Sequence, residues 1–468
     1  MKYENKKVKD IKIAYIGGGS RGWAWTFMGD LALEPDMGGT IALYDLDFDS
    51  AKQNEVIGNK ISANKDAVGK WDYQAVKTLP EALKGADFVV ISILPGTFDE
   101  MHSDVHLPER LGVYQSVGDT AGPGGIIRSL RTIPEFVGFA EAIKEHAPEA
   151  WVINYTNPMT ICMKTLYHVF PEIKAFGCCH EVFGTQEVLK AVAEKELGFE
   201  NVDRRDVLVN VLGINHFTWF DKASYKGVDL FPVYEKFVDE NFEAGISTEE
   251  EHWANSSFAC LNRVKFDLFK KHGYIAAAGD RHLAEFVSSQ EYLKDPETVE
   301  GWNFGLTTVD WRKNDLQERG QRSQRLVAGE EEFPLNHSGE EGILLIKALC
   351  GLEQVISNVN IPNTNKQIPN LPADAIVETN AVFERDSIKP IIAGELPENL
   401  LNMIGPHVKN HDRILEAALT HNKELVLEAF QNDPLIKGQA SAEELQQLVD
   451  DMIKNTLPAL PAEWKKAV

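Results

Sequence analysis

Positive charge is scarce in this chain: 47 Lys and Arg stand against 71 Asp and Glu, a formal net charge of −24. Such a surface argues against nucleic acid and anionic membranes as partners, yet it leaves room for a local basic pocket that takes a small anion. No run of 18 apolar residues occurs, so no membrane-spanning helix is expected. The opening MKYENKKVKDIKIAYIGGG has lysines but no apolar core with a cleavage site, so no secretion signal is expected. Cysteine is sparse and odd in number: Cys162, Cys178, Cys179, Cys260 and Cys350. That argues against a disulfide framework and for reduced thiols in a cytoplasmic protein. Internal repeats, low-complexity tracts and an obvious flexible linker are also missing.

What is present is 468 residues of ordinary globular composition, 43% hydrophobic and 25% charged, enough for two or three domains or one large α/β unit. The apolar run Ile11 to Ile16 leads into Gly17, Gly19 and Gly22, which fit G-x-G-x-x-G, with Gly18 and Ser20 in the same loop. A helical pattern follows, and the next strand, TIALYDLD, ends in Asp45, 23 residues after Gly22. In that order the glycines let backbone approach a pyrophosphate at a helix N-terminus, and the acid takes a ribose hydroxyl. The alternative is a tight strand-to-helix turn with a surface aspartate.

Strand and helix patterns continue to alternate. DYQAVKTL, DFVVISILPG, AWVINYTNP and IKAFGC bring the strand candidates to six, the number in a full dinucleotide-binding sheet. Thr97 to Gly124 carries few regular signals, and Pro134 interrupts a helical pattern with an expected kink. The expected fold is α/β: a Rossmann-type doubly wound parallel sheet over residues 1–195, then an α+β domain over 196–468, in an architecture like that of lactate and malate dehydrogenases.

Two motifs fall just past carboxyl ends of strands, where open parallel sheets bind ligands: NYTNP (Asn154 to Pro158) and FGCCHEVFG (Phe176 to Gly184). Each has a plain structural reading as well. Cys179 and His180 could be inert core residues, Asn154 and Asn157 could cap the following helix, His216 in GINHF sits among apolar neighbours, and Asp280, Arg281 and His282 in GDRH could form a surface turn. Composition and spacing stop at an NAD-type enzyme with polar groups around a crevice.

Taken together, IGGGS, GPGG, NYTNP, CCH and GINH resemble glycoside hydrolase family 4, and the resemblance covers nearly the whole chain, including NLPADAIVE. It implies an enzyme that uses NAD and a divalent metal, usually Mn2+. The implied reaction oxidises sugar C3, removes the C2 proton, eliminates the C1 substituent, adds water and returns the hydride. The resemblance assigns Cys179 and His216 to the metal; Cys179 is preferred over Cys178 because it is followed directly by His and lies 22 residues after Asn157. It further implies Asn157 at sugar hydroxyls, Asp280, 64 residues after His216, as the base, and His180 as the acid. Asp119 lies nearby without an assigned role.

One departure bears on substrate. Where members acting on 6-phosphosugars carry an arginine, alignment of LPERLGV places Met101, which disfavours a phosphosugar. ISILPG, DVHLPERLGVYQSVGDTAGPGGIIRSLR and GCCHEVFG are most similar to the family's α-galacturonidases. A uronate needs a cation, and Arg128, Arg131, Arg281 and His282 are the candidates. The competing expectations are a neutral-sugar α-glucosidase or α-galactosidase of the same family, a lactate/malate-type dehydrogenase, and an NAD-sensing protein. A homodimer or homotetramer is expected from the resemblance.

Overall fold

A computed structural model describes residues 1–247, 260–306 and 308–466. β1 (Lys2–Glu4) pairs with β2 (Lys7–Ile16), and β3 (Met37–Tyr44), β4 (Lys70–Val76), β5 (Phe88–Ile91), β6 (Trp151–Asn154) and β7 (Lys174–Gly177) follow. β2 to β7 lie in the order β4-β3-β2-β5-β6-β7, all parallel. This is the doubly wound sheet expected from the sequence. Its strands are buried on both faces because the side-chain period of two feeds two cores. Ile13 and Tyr15 pack with Trp25 and Phe27, whereas Ala14 and Ile16 pack with Val89, Phe136 and Met163.

The stretch read as irregular, Thr97 to Gly124, contains a helix, Phe98–His106, and a 3-10 turn, Leu107–Leu111. The signal was present: Thr97 and Glu100 form a capping box, with Glu100 accepting the Thr97 N–H at 2.7 Å. The helix Gly122–His146 runs through Pro134. Its N-terminus starts after the glycine-rich turn, beside the loops that leave β6 and β7.

Beyond residue 200 a small antiparallel sheet forms from β8 (Leu208–Ile214), β9 (Phe217–Tyr225), β10 (Val228–Asp229) and β11 (Ile275–Ala276), with β9 pairing to each of the other three. Later, β12 (Val355–Pro362), β13 (Ile376–Glu384) and β14 (Ser387–Pro390) return to the first sheet and extend it antiparallel from β7, giving ten strands. A four-residue β7 left at the edge would expose an unpaired ladder; the returning strands cover it.

The two halves share one core. Ile126, Ile127 and Leu130 of the long helix pack with Ile214, Phe217 and Trp219 of the small sheet, and with Leu400, Met452 and Trp464 of the C-terminal helices. Among the described residues no helix is long and apolar enough to cross a membrane.

Candidate active site

The first corner of the site is made mostly of backbone. Gly17 has φ +94°, and a Cβ there would overlap the carbonyl of Ser92 on the neighbouring strand end, so glycine is required. The N–H groups of Gly17 and Gly18 both donate to Tyr44 O at 2.9 Å, and that of Gly19 donates to Asp45 Oδ2 at 2.8 Å. Asn54 braces the loop by donating to Gly18 O and Ser20 O, each at 2.8 Å, while accepting from Trp25 Nε1. Gly22 begins the helix Trp23–Leu33, whose first N–H groups have no capping side chain. The Arg319 Nη1, from the helix Val309–Ala328, reaches Arg21 O at 3.3 Å.

The second corner is made of side chains from separate segments. Asp119, His216 and His282 each offer a ligand atom, and these atoms lie within 4.8 Å of one another. Asp119 sits in the turn before the long helix, His216 in the β8–β9 turn and His282 in the short helix Asp280–Leu283. His216 adopts φ +63°, a left-handed conformation held by the strands on either side of it. The rings of His216 and His282 are 3.8 Å apart between centroids.

Hydrogen bonding sets the tautomer of His216. Thr120 Oγ1 donates to Asp119 Oδ1 at 2.7 Å, so its one proton is used. It must therefore accept from His216 Nδ1–H, 3.0 Å away, which leaves Nε2 with a free lone pair. His282 Nε2 faces Glu181 Oε1 at 3.5 Å, and its buried Nδ1 has no partner among the described residues. Burial pushes the pKa of His216 down to about 3, and lowers that of His282. Arg128 and the two histidines hold Asp119 at about 2 despite its burial. Two neutral imidazoles and one carboxylate suit a divalent cation such as Mn2+.

Cys179, the other expected ligand, follows β7. Burial, then the carboxylates of Glu378 and Glu181, push its thiol well above the ordinary range. Its carbonyl accepts from Asn358 Nδ2 at 3.1 Å. Glu378 on β13 accepts from Asn358 and Asn215 and, mainly through burial, rises to about 7. The returning strands thus form a polar wall behind the cysteine.

His180 is half exposed, with Nδ1 3.0 Å from Glu340 and its ring near Trp23. Asp280 accepts the N–H groups of Val264 and Lys265 at 3.2 and 3.1 Å, capping the helix Arg263–His272; burial raises it to about 6 against the pull of Lys265. Arg281 donates to Gly305 O and Ser116 O, and Arg128 Nε donates to Asn157 O at 3.2 Å. Buried Arg128 Nη1 and Asn157 Oδ1 have no hydrogen-bond partner among the described residues.

Three further residues were missed in the sequence. Glu181 follows His180 directly; its charge is held well below the ordinary carboxylate range by His282, His180 and His216, against burial. Glu285 accepts the N–H groups of Val117 and Gly118 and is pushed by burial to about 7. Arg312 faces Asp119 and Glu285 from the helix Val309–Ala328. Adjacency to CCH pointed to Glu181; nothing local marked Arg312.

Comparison with known proteins identifies the family. The family 4 glycosyl hydrolase profile matches residues 12–195, and that of the family 4 glycosyl hydrolase C-terminal domain matches 211–436. The chain belongs to glycosyl hydrolase family 4. It is 68% identical over 464 residues to an alpha-galacturonidase of Lachnoclostridium phytofermentans, covering 99% of this chain and 100% of that one. A solved Bacillus subtilis protein described as a glucosidase superposes with a TM-score of 0.89 at 51% identity, over 95% of this chain and 100% of its own. A 6-phospho-alpha-glucosidase from gut microorganisms, solved with NAD and Mn2+, shares the fold at a TM-score of 0.80 and 20% identity, over 97% and 99% of the two chains.

Proposed function

We propose that this chain hydrolyses α-D-galacturonides, using NAD and a divalent metal, by oxidation, elimination, addition and reduction. The observation that carries this reading is a local reversal of charge. In a chain of net charge −24, Arg128, Arg281 and Arg312 converge on Asp119 and on a Glu285 that is only partly ionised at neutral pH. These guanidinium groups suit a carboxylate on the sugar. The alpha-galacturonidase of L. phytofermentans, at 68% identity, supports the same substrate.

When bound, NAD would supply transient oxidation at sugar C3 and the metal Lewis-acid stabilisation of the charge that builds as C2 loses its proton. The protein's own residues do the rest. Gly17, Gly18, Gly19, Ser20, Gly22 and Asp45 bind the dinucleotide. His216, through its free Nε2, would hold the metal with Asp119 and His282, the group the structure brings together, and Cys179 would be a further ligand. Asn157, whose carbonyl holds Arg128, is the candidate to orient sugar hydroxyls. Asp280, raised to about 6, is the candidate base at C2, and His180 is the candidate acid at the leaving oxygen. Residues 1–195 form the cofactor domain and 196–468 the substrate and assembly domain, in a cytoplasmic homodimer or homotetramer.

The test is release of p-nitrophenol from the α-D-galacturonide with NAD+, Mn2+ and reductant, each omitted in turn, and the α-glucoside and α-galactoside in parallel. Uronide turnover that needs both NAD+ and metal, with no net NADH, is the expected result. Turnover of a neutral glycoside in preference to the uronide, or net NADH, overturns the reading.

A further inference from the structure

Of the cations near the site, most are already engaged. Arg131 and Asp104 form a fully buried ion pair, and Arg131 also donates to Pro95 O at 2.9 Å. Arg281 spends Nε and Nη2 on the carbonyls of Gly305 and Ser116, 3.2 and 2.5 Å away. Arg128 is held through Nε by Asn157 O, and Asp119 stands against its charge, while its buried Nη1 has no partner among the described residues. The free Nδ1 of His282 belongs to the group formed with Asp119 and His216.

Arg312 differs. Its Nε is shielded from solvent and has no hydrogen-bond partner among the described residues, although Asp119 and Glu285 lie close enough to act on its charge. The helix that carries it is firmly seated. Val309, one turn earlier, packs on Met101 and Val105, and its N–H donates to His106 Nε2 at 3.4 Å. The next residue, Lys313, pairs outward with Asp99 at 2.6 Å, so the register turns Arg312 away from that pair. Seven residues on, Arg319 meets the glycine loop at Arg21 O. Residues seven apart share a helix face about 10 Å apart, so one face of this helix borders both corners of the site. Met101, at the position where a phosphate-binding arginine would stand, is instead buried beneath that helix.

We propose that Arg312 is the residue that binds the C6 carboxylate of the sugar and so sets the preference for uronides over neutral glycosides. The inference rests on the uronidase reading above. A guanidinium presents parallel N–H donors that match a carboxylate, and Arg312 is only partly buried, so its terminal nitrogens are the donors a substrate arriving there would meet. A neutral C6 hydroxymethyl leaves the same donors unpaired.

The experiment compares wild type, Arg312→Gln and Arg312→Lys on the p-nitrophenyl α-D-galacturonide and α-D-galactoside, which differ only at C6. Calorimetric binding of D-galacturonate and D-galactose is measured alongside. Arg312→Gln is expected to lose about 100-fold in kcat/KM on the uronide and to change less than about 3-fold on the galactoside, with galacturonate affinity falling in step. Arg312→Lys, which keeps the charge and loses the fork, is expected to recover part of the discrimination; if the Gln variant does not fold, a drop of about 10-fold in discrimination by the Lys variant is the expected result. Equal losses on both glycosides, or an unchanged uronide rate, overturn the assignment of Arg312. A wild type that hydrolyses the galactoside in preference to the uronide overturns the functional reading itself, before any variant is compared.

Discussion

The two corners of the site are built on opposite principles. The glycine corner draws on residues 17–54, in chain order, and works mainly through backbone N–H groups and shape. The proposed metal and sugar corner is centred on Asp119, His216 and His282, with Arg128, Asn157, Cys179 and Arg312 as further candidates, and would work almost wholly through side chains. A backbone site tolerates no added atom but is indifferent to most side-chain chemistry. A side-chain site tolerates volume changes nearby but depends on protonation states and orientation set by second partners.

Gly17→Val tests the first half of that contrast. It adds branched volume at φ +94° against Ser92 O, and is expected to lower stability by about 3 kcal/mol or more and to abolish measurable NAD+ binding. Denaturant titration and fluorescence titration with NADH check it. Retained binding would show that the loop adapts and that the corner is less rigid than its geometry indicates.

Glu378→Gln tests the buried wall behind Cys179. Glu378 titrates near 7 in the folded protein against 4.5 for an ordinary glutamate. Between those values the folded state keeps a proton that the unfolded chain releases, so the residue's contribution to stability declines as pH rises from 4.5 to about 7. The variant is expected to lose that slope and to exceed wild type by about 3 kcal/mol above pH 7, with the two converging near pH 4.5. Parallel urea denaturation across this range measures it; identical slopes would place the titration elsewhere.

Thr120→Val gives the smallest effect and the sharpest test of the side-chain corner. It removes the acceptor that holds His216 Nδ1–H and the donor to Asp119. Metal affinity is expected to fall about 10- to 100-fold with NAD+ affinity unchanged. Mn2+ titration followed by calorimetry checks it. An unchanged affinity would mean that the β8–β9 turn alone orients His216.

Legibility followed the same divide. The strands, the glycine loop and Asp45 could be read because each signal lies within a few residues of the next. NYTNP and CCH could be placed at strand ends for the same reason. The helix Phe98–His106 was local too, but its Thr97–Glu100 box was overlooked among weak periodicity. β12 to β14 gave no pairing signal. Asn358, Asn360 and Glu378 break their apolar pattern, and they do so because those strands line a polar wall.

The sequence by itself determined the parallel sheet, the cofactor loop and the family, since period-two burial and short motifs act over distances that the chain spans locally. Only the tertiary structure decided which polar residues share a site. Asp119 and His216 are 97 residues apart, and Arg312 lies 96 further on. Their convergence depends on the long helix, the β8–β9 turn and the helix Val309–Ala328 packing together, and on burial that leaves imidazoles neutral, Asp119 charged and the Nε of Arg312 without a partner among the described residues.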